Sequence, residues 1–174
     1  MNELHWYIAC TRSCQDRNVA EALSARGLQT YVAIRREVRQ WSDRKKLVDR
    51  LLIPRIVFVR CTEVERRNSL SEIPYLTHYL SEKPGSYKPA VVPDSQMEDF
   101  IAMVGSVNGE VTLTDRPLRP GDMVRVKTGA LEGRIVELVS IDGKDCLAVR
   151  LPLLGAACIQ IDRNSVELLQ KREK

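Results

Sequence analysis

Residues 51–60 read Leu51-Leu52-Ile53-Pro54-Arg55-Ile56-Val57-Phe58-Val59-Arg60. Ile56 to Val59 are apolar without a break and rich in β-branched side chains, which predicts a buried strand at the centre of a sheet. Pro54 stands just before the run, where its missing N–H breaks no ladder. Upstream, His5-Trp6-Tyr7-Ile8-Ala9-Cys10 is aromatic and β-branched and predicts a first strand. Ser13-x-x-Asp16 resembles a capping box, opening a helix with Val19, Ala22, Leu23 and the stem of Arg26 on one stripe. Gly27 stands where a left-handed residue ends such a helix. Residues 29–36, with Tyr31, Val32 and Ile34, predict a second strand.

Downstream, residues 62–71 predict a helix and 75–80 a strand, with Lys83-Pro84-Gly85 as a turn. Pro93-Asp94 opens a further helix, with Asp94 as N-cap. Met97, Phe100, Ile101 and Val104 form its buried face and Gly105 its end. The order β-α-β-β-α-β-α describes an α+β fold, an antiparallel sheet with helices. Residues 106–117 show no amphipathic pattern and are expected to be a flexible linker. Beyond Pro120-Gly121-Asp122 the period shortens. Strands are expected at 123–127, 134–141, 145–151, 156–161 and 165–169, with Val124 and Val126 inward and Ile135, Val136, Val139, Ile141 and Val149 as further β-branched residues. Asp142-Gly143 marks a hairpin. Five short strands in so few residues indicate a small β-barrel. The expected division is 1–105, a linker at 106–117, and 118–174.

The 174 residues carry Lys+Arg 27 and Asp+Glu 23, a net charge of +4. That charge is local. Residues 35–60 hold Arg35, Arg36, Arg39, Arg44, Lys45, Lys46, Arg50, Arg55 and Arg60 against Glu37, Asp43 and Asp49, so the segment is +6 and the remainder −2. Gln40-Trp41-Ser42-Asp43 suits the tip of a hairpin within it. A concentrated cationic segment suits nucleic acid or an acidic partner. Hydrophobic residues at 44% and charged residues at 29% describe a globular chain. No apolar run approaches the roughly 20 residues that span a bilayer. Met1 to Trp6 lack the features of a signal peptide, so a cytoplasmic location is expected. Cys10, Cys14, Cys61, Cys146 and Cys158 are odd in number and show no zinc-ligand spacing, and are expected to be reduced thiols. No nucleophile, metal or nucleotide motif is present. The chain is expected to have no catalytic residues, no metal and no cofactor.

The stretch Gly121-Asp-Met-Val-Arg-Val-Lys-Thr-Gly129-Ala-Leu131-Glu-Gly133-Arg-Ile-Val-Glu-Leu resembles a KOW motif of SH3-like barrels, with Gly121, Gly129, Leu131 and Gly133 carrying the likeness. The usual further glycine is Val136 here. Trp6-Tyr7, the capped helix, the basic hairpin and Ile53-Pro54-x-x-x-Phe58-Val59 resemble the N-terminal (NGN) domain of the NusG family. Gly129-Ala-Leu-Glu-Gly133 and Arg39-x-Trp41-Ser42-Asp43-Arg44 resemble the specialised RfaH and UpxY paralogues. Where general members have Pro-Gly-Tyr, this chain has Pro54-Arg55-Ile56.

The resemblance implies a transcription elongation and antitermination factor that suppresses pausing on particular long operons, such as those for capsular polysaccharide. It implies RNA polymerase as partner. Ile56, Phe58 and Tyr79 match the patch that meets the clamp helices of the largest subunit. Arg66, Arg67 and Asn68 match the region that meets the gate loop of the other large subunit. Arg12 and Gln15 match residues that touch non-template DNA. The basic hairpin, with Arg39, Trp41, Arg44, Lys45 and Lys46 as nucleic-acid contacts, would lie near upstream DNA or the polymerase. The barrel implies a small-subunit ribosomal protein or Rho as second partner, and Val-rich strands predict that it stays β. The chain is expected to act as a monomer with no membrane partner. The alternative is a ribosome-associated KOW protein that binds structured RNA.

Overall fold

The structure, a computed structural model, describes residues 3–40, 44–106 and 110–170. The chain divides into two compact units, Met1–Asp94 and Ser95–Lys174.

In the first unit β1 (His5–Thr11) lies between β5 (Ile56–Cys61) and β6 (Leu76–Tyr79), and β2 (Gln29–Tyr31) pairs with the other edge of β5. β7 (Val91–Val92) pairs with the start of β1, and every pairing is antiparallel. The apolar run is the buried inner strand that its sequence predicts. Ile56 to Val59 are all buried, with Ile8 opposite Phe58 and Ala9 opposite Val57. One sheet face packs Tyr7, Ala9, Val57, Val59, Cys61 and Tyr79 with Val19 and Leu23 of α1 (Asp16–Ser24). α2 (Glu63–Glu72) follows β5 and opens on a complete capping box: the Thr62 hydroxyl accepts from the Glu65 N–H, and the Glu65 carboxylate accepts from the Thr62 N–H.

α1 starts later than Ser13-x-x-Asp16 suggests. Its N-cap is Gln15, with no side-chain cap, and Asp16 is buried, accepting from the Thr11 hydroxyl at 3.2 Å. Asp16 is thus spent on the end of β1. At the other end Gly27 (φ 83) behaves as expected. The Leu28 N–H reaches the Leu23 carbonyl and the Gly27 N–H the Ser24 carbonyl, which is a Schellman closure.

The expected single strand 29–36 is two strands in different sheets. After β2 the chain leaves the main sheet, and β3 (Ile34–Gln40) pairs only with β4 (Lys45–Leu51) as a two-stranded hairpin. Tyr31, Val32 and Ile34 read as one apolar stretch, and nothing in that pattern marks the exit at Ala33.

The second unit begins at Ser95, within α3 (Asp94–Val104). Asp94 is its first residue. The buried side chains are Met97, Phe100, Met103 and Val104, with Ile101 only half-buried. A six-stranded antiparallel sheet follows. Its strands are β8 (Val111–Thr114), β9 (Asp122–Val126), β10 (Ile135–Ile141), β11 (Lys144–Leu151), β12 (Gly155–Gln160) and β13 (Val166–Gln170), in the order β13-β9-β10-β11-β12-β8. β8 corrects the linker expectation for 106–117. Val111 is buried and opposes Ile159, and Leu113 opposes Ala157. The alternation Val-Thr-Leu-Thr that makes this strand was visible, but it lasts only four residues. Asp142 and Gly143 both have positive φ, as a type I′ hairpin requires. Ile135 is exposed. It opposes Arg125 on the outer side, while Val136 and Leu138 face inward.

One face of this sheet packs the small side chains Cys146, Ala148, Ala156 and Cys158 with Val139, Leu118 and Ile141. The chain entering β9 is fastened beside it. Arg150 pairs with Glu137 through two bonds of 2.8 and 3.0 Å and donates to the Leu118 carbonyl, and the Glu137 carboxylate accepts the Gly121 N–H at 2.7 Å. Gly121 is required there, because a Cβ would collide with the Leu138 carbonyl. All five cysteines are free thiols. Cys61, Cys146 and Cys158 are buried, and burial pushes Cys61 up to about 12.

Candidate functional site

Four groups of sequence-singled residues can be placed in the first unit. Ile56 and Phe58 lie on the sheet face opposite the helix-packed cluster, with Tyr31 across from Phe58 at a ring separation of 6.3 Å. Both are closed off here, at 8% and 0% exposure. Tyr79 does not join them. It sits in the helix-side cluster, its ring edge-on to Tyr7 at 6.2 Å, its hydroxyl bonded to Ser69 at 2.8 Å. Burial pushes its phenol up to about 12.

The α2 group divides as well. Arg66 turns inward. Its side chain is 11% exposed, both ends of its guanidinium donate to Glu63 at 2.7 Å, and its carbon lies 5.6 Å from the Tyr7 ring centre and 5.4 Å from that of Tyr79. The paired arginine holds the Glu63 carboxyl down to about 2, and the carboxylate in turn raises Arg66. Through the two rings Arg66 ties α2 to the sheet. Arg67 shares Glu63 at 2.8 Å but is 72% exposed, and Asn68 is exposed beside it. With Val64 and Ser71 they form the outer stripe of α2 at helical spacing.

Arg12 and Gln15 are at the end of β1. Arg12 is exposed, and its carbonyl accepts the Gln15 N–H at 3.2 Å. The Gln15 side chain accepts from Asn18 at 2.7 Å. The structure adds two residues that the sequence did not single out here. The Thr11 N–H donates to the Arg55 carbonyl and the Arg12 N–H to the Tyr75 carbonyl, both at 3.0 Å. Arg55 and Tyr75 have φ of 67° and 68°, a left-handed backbone that a sequence of non-glycine residues does not announce.

The hairpin carries its charge unevenly. Arg50 pairs with Glu37 at 3.2 Å, while Asp49 takes Arg17 of α1 at 2.9 Å and Arg36 at 3.6 Å. Arg44, Lys45 and Lys46 are exposed and make no ion pair among the described residues. Val38 and Leu47 oppose each other on the ladder, both exposed. Trp41 and the side chain of Arg39 lie outside the described residues.

In the second unit Gly129 and Gly133 adopt φ of 96° and 78° on either side of Leu131, which is buried. They bring the chain back so that the Gly133 N–H meets the Val126 carbonyl at 2.8 Å. Among the described residues there is no cluster of His, Cys, Asp and Glu fit to hold a metal, and no helix is long and apolar enough to cross a membrane.

The arrangement is one of surfaces: a cationic ribbon, an outer helix stripe and a basic strand end. The chain is similar to a solved structure described as "Domain interaction in Thermotoga maritima NusG", with 21% identity and a TM-score of 0.46, covering 97% of this chain and 98% of that one. It is also similar to one described as "Crystal Structure of MjSpt4:Spt5 complex conformation A", with 13% identity and a TM-score of 0.32, covering 96% and 99%. No curated protein matches the chain. Residues 4–101, more than half of the sequence, match the family described as "NusG: Transcription termination factor nusG". The chain belongs to the NusG family of transcription factors.

Proposed function

We propose that this protein is an antitermination factor of the RfaH and UpxY type, which binds RNA polymerase through residues 1–105 and suppresses pausing on particular long operons. The observation that carries the reading is the family match over residues 4–101, which spans the β1–β5 sheet, the hairpin and α2. Arg67 and Asn68, exposed on α2, would meet a polar loop of the polymerase. Ile56 and Phe58 are buried, so docking on the clamp helices through them requires that they be uncovered. Arg12, Gln15 and the cationic end of the hairpin, with Arg39, Trp41, Arg44, Lys45 and Lys46, would face nucleic acid. Residues 118–174, a KOW barrel in this reading, would recruit the second partner, Rho or a small-subunit ribosomal protein. The protein would work as a cytoplasmic monomer without a cofactor.

Support also comes from charge. Binding a polyanion requires unpaired cations, and Arg44, Lys45 and Lys46 make no ion pair among the described residues. The test is capture of purified RNA polymerase by the full chain, followed by transcript mapping with and without the protein. Retention of polymerase together with a change confined to one long operon supports the specialised reading. A change across all transcripts would make it a general factor. Co-sedimentation with ribosomal subunits and no retention of polymerase would replace the proposal with the structured-RNA alternative.

A further inference from the structure

β12 is built as an inner strand. Ala156, Ala157, Cys158 and Ile159 are apolar without a break and all buried. Ala157 and Ile159 share one side of the sheet with Val149 and Leu147, and Ala156 and Cys158 share the other with Ala148 and Cys146. A row of that kind, with no charge and no proline, pairs with any extended chain that meets it, and proteins keep such rows covered. Among the described residues the cover on the flank away from β11 is β8 alone, the last strand of the sheet.

β8 is seated closely but held weakly. Its register sets Val111 against Ile159, Thr112 against Cys158, Leu113 against Ala157 and Thr114 against Ala156. A Cβ on Gly155 would collide with the Thr114 carbonyl, so β12 opens on a glycine where β8 passes. Yet of the four residues of β8 only Val111 is buried, while Thr112 is exposed and Leu113 and Thr114 are half-buried. An element with so few buried apolar contacts opens well before its domain unfolds. The chain beyond it is fastened separately, through the Leu118 carbonyl on Arg150 and the Gly121 N–H on Glu137. β8 can therefore leave without loosening the entry to β9.

We infer that β8 is a removable cover, and that the β12 edge beneath it takes one extended strand of a partner protein. β8 itself shows which strand fits. It runs antiparallel to β12, with apolar side chains where Val111 and Leu113 sit and small or hydroxyl-bearing ones where Thr112 and Thr114 sit. The inference rests on the reading of residues 118–174 as the recruiting barrel, and it adds the edge that is used and the strand that guards it.

The test uses the full chain and a fluorescein-labelled peptide of residues 110–115, Glu-Val-Thr-Leu-Thr-Asp, read by anisotropy. Val111→Asp places a charge where the valine is buried and so frees β8. That variant should bind the peptide about tenfold more tightly than wild type, whose edge is filled. A peptide carrying the same change should bind neither chain. Hydrogen exchange on wild type needs no variant, and decides the matter if Val111→Asp fails to fold. The β8 amides bonded to β12 should exchange about a hundredfold faster than the paired amides of β10 and β11. Equal peptide binding by wild type and a folded Val111→Asp chain, or β8 amides as protected as those of β10, overturns the cover. A wild-type dimer in light scattering that Val111→Asp dissolves would give the edge to a second copy and overturn the foreign strand. Peptide binding by the variant alone, with neither Rho nor a small-subunit ribosomal protein captured by either chain, supports the cover and overturns the recruiting role.

Discussion

Arg66→Met should destabilise the first unit by about 2 kcal/mol, whereas Arg67→Met, one residue on and bonded to the same carboxylate, should cost less than about 0.5 kcal/mol. Both arginines donate to Glu63, so a count of ion pairs would treat them alike. Exposure separates them, at 11% for Arg66 and 72% for Arg67. Arg66 makes two bonds of 2.7 Å and lies over two tyrosine rings. Charge-assisted bonds of that kind contribute about 1.5–3 kcal/mol, and each ring contact about 0.5–1. Methionine keeps part of the ring packing, which lowers the sum. The carboxyl held at about 2, against an ordinary 4.5, would correspond to about 3.4 kcal/mol without screening. Glu63 is 38% exposed, so roughly half of that is a fair figure. Its sign fixes the pH window: a depressed carboxyl contributes fully above about 4.5 and loses its contribution as pH falls toward 2. Urea unfolding followed by tryptophan fluorescence, with buried Trp6 as reporter, measures both variants from pH 7 to 3. Wild type should lose stability over the acid limb more steeply than Arg66→Met. Equal losses for the two arginine variants at pH 7 would refute the account of Arg66 as a strut.

Other perturbations test other parts of the fold. Gly121→Ala should cost about 1–3 kcal/mol in the second unit, since its Cβ collides with the Leu138 carbonyl, and an unchanged circular-dichroism melt would contradict that close approach. A fragment of residues 118–174 loses β8 and should melt below a fragment of 110–174, because burial of Val111 alone is worth about 1.5–3 kcal/mol; equal midpoints would make β8 incidental. Lys45→Ala with Lys46→Ala should lower the slope of log affinity against log salt by about 2 for any nucleic acid, and an unchanged slope would remove the hairpin from the interface. Asp49→Asn frees Arg17 and Arg36 together, so the same slope should steepen while protease cleavage within the hairpin speeds up.

The inner strand was legible because its signal needs no partner: four apolar residues in a row have nowhere to go but the middle of a sheet. What that run hides is the face each residue serves. Ile56 and Phe58 on one side, Val57 and Val59 on the other, are equally apolar, so alternation carries no information about which side packs α1 and α2. Tyr79 was grouped with Ile56 and Phe58 by the family resemblance, and the register places it on the other face. Arg66 shows a similar limit. Its spacing from Glu63 can be read from the sequence, but the two tyrosine rings that make it structural come from β1 and β6. β8 escaped because a period of two is weak over four residues. Arg55 and Tyr75 escaped because only glycine announces a left-handed backbone.

The basic charge ends up sorted along the hairpin rather than spread over it. A two-stranded ribbon is marginal alone, and the pair Val38 and Leu47 gains little while exposed. The root is held by the Leu52 N–H on the Ala33 carbonyl at 2.8 Å and by ion pairs that engage Glu37 and Asp49. Glu37 and Asp49, the carboxylates of the described ribbon, are spent on Arg50, Arg17 and Arg36, and Arg44, Lys45 and Lys46 stand at the far end. Seven residues of strand carry that end roughly 20 Å out. Exposed cations at the end of an arm track phosphates of any strand and are screened by salt. Raising salt should thus weaken the arm's contribution for a single strand and a duplex alike, so the ratio of single-strand to duplex affinity should stay flat with ionic strength. A ratio that rises would mean that contacts to unpaired bases add to those of the cations.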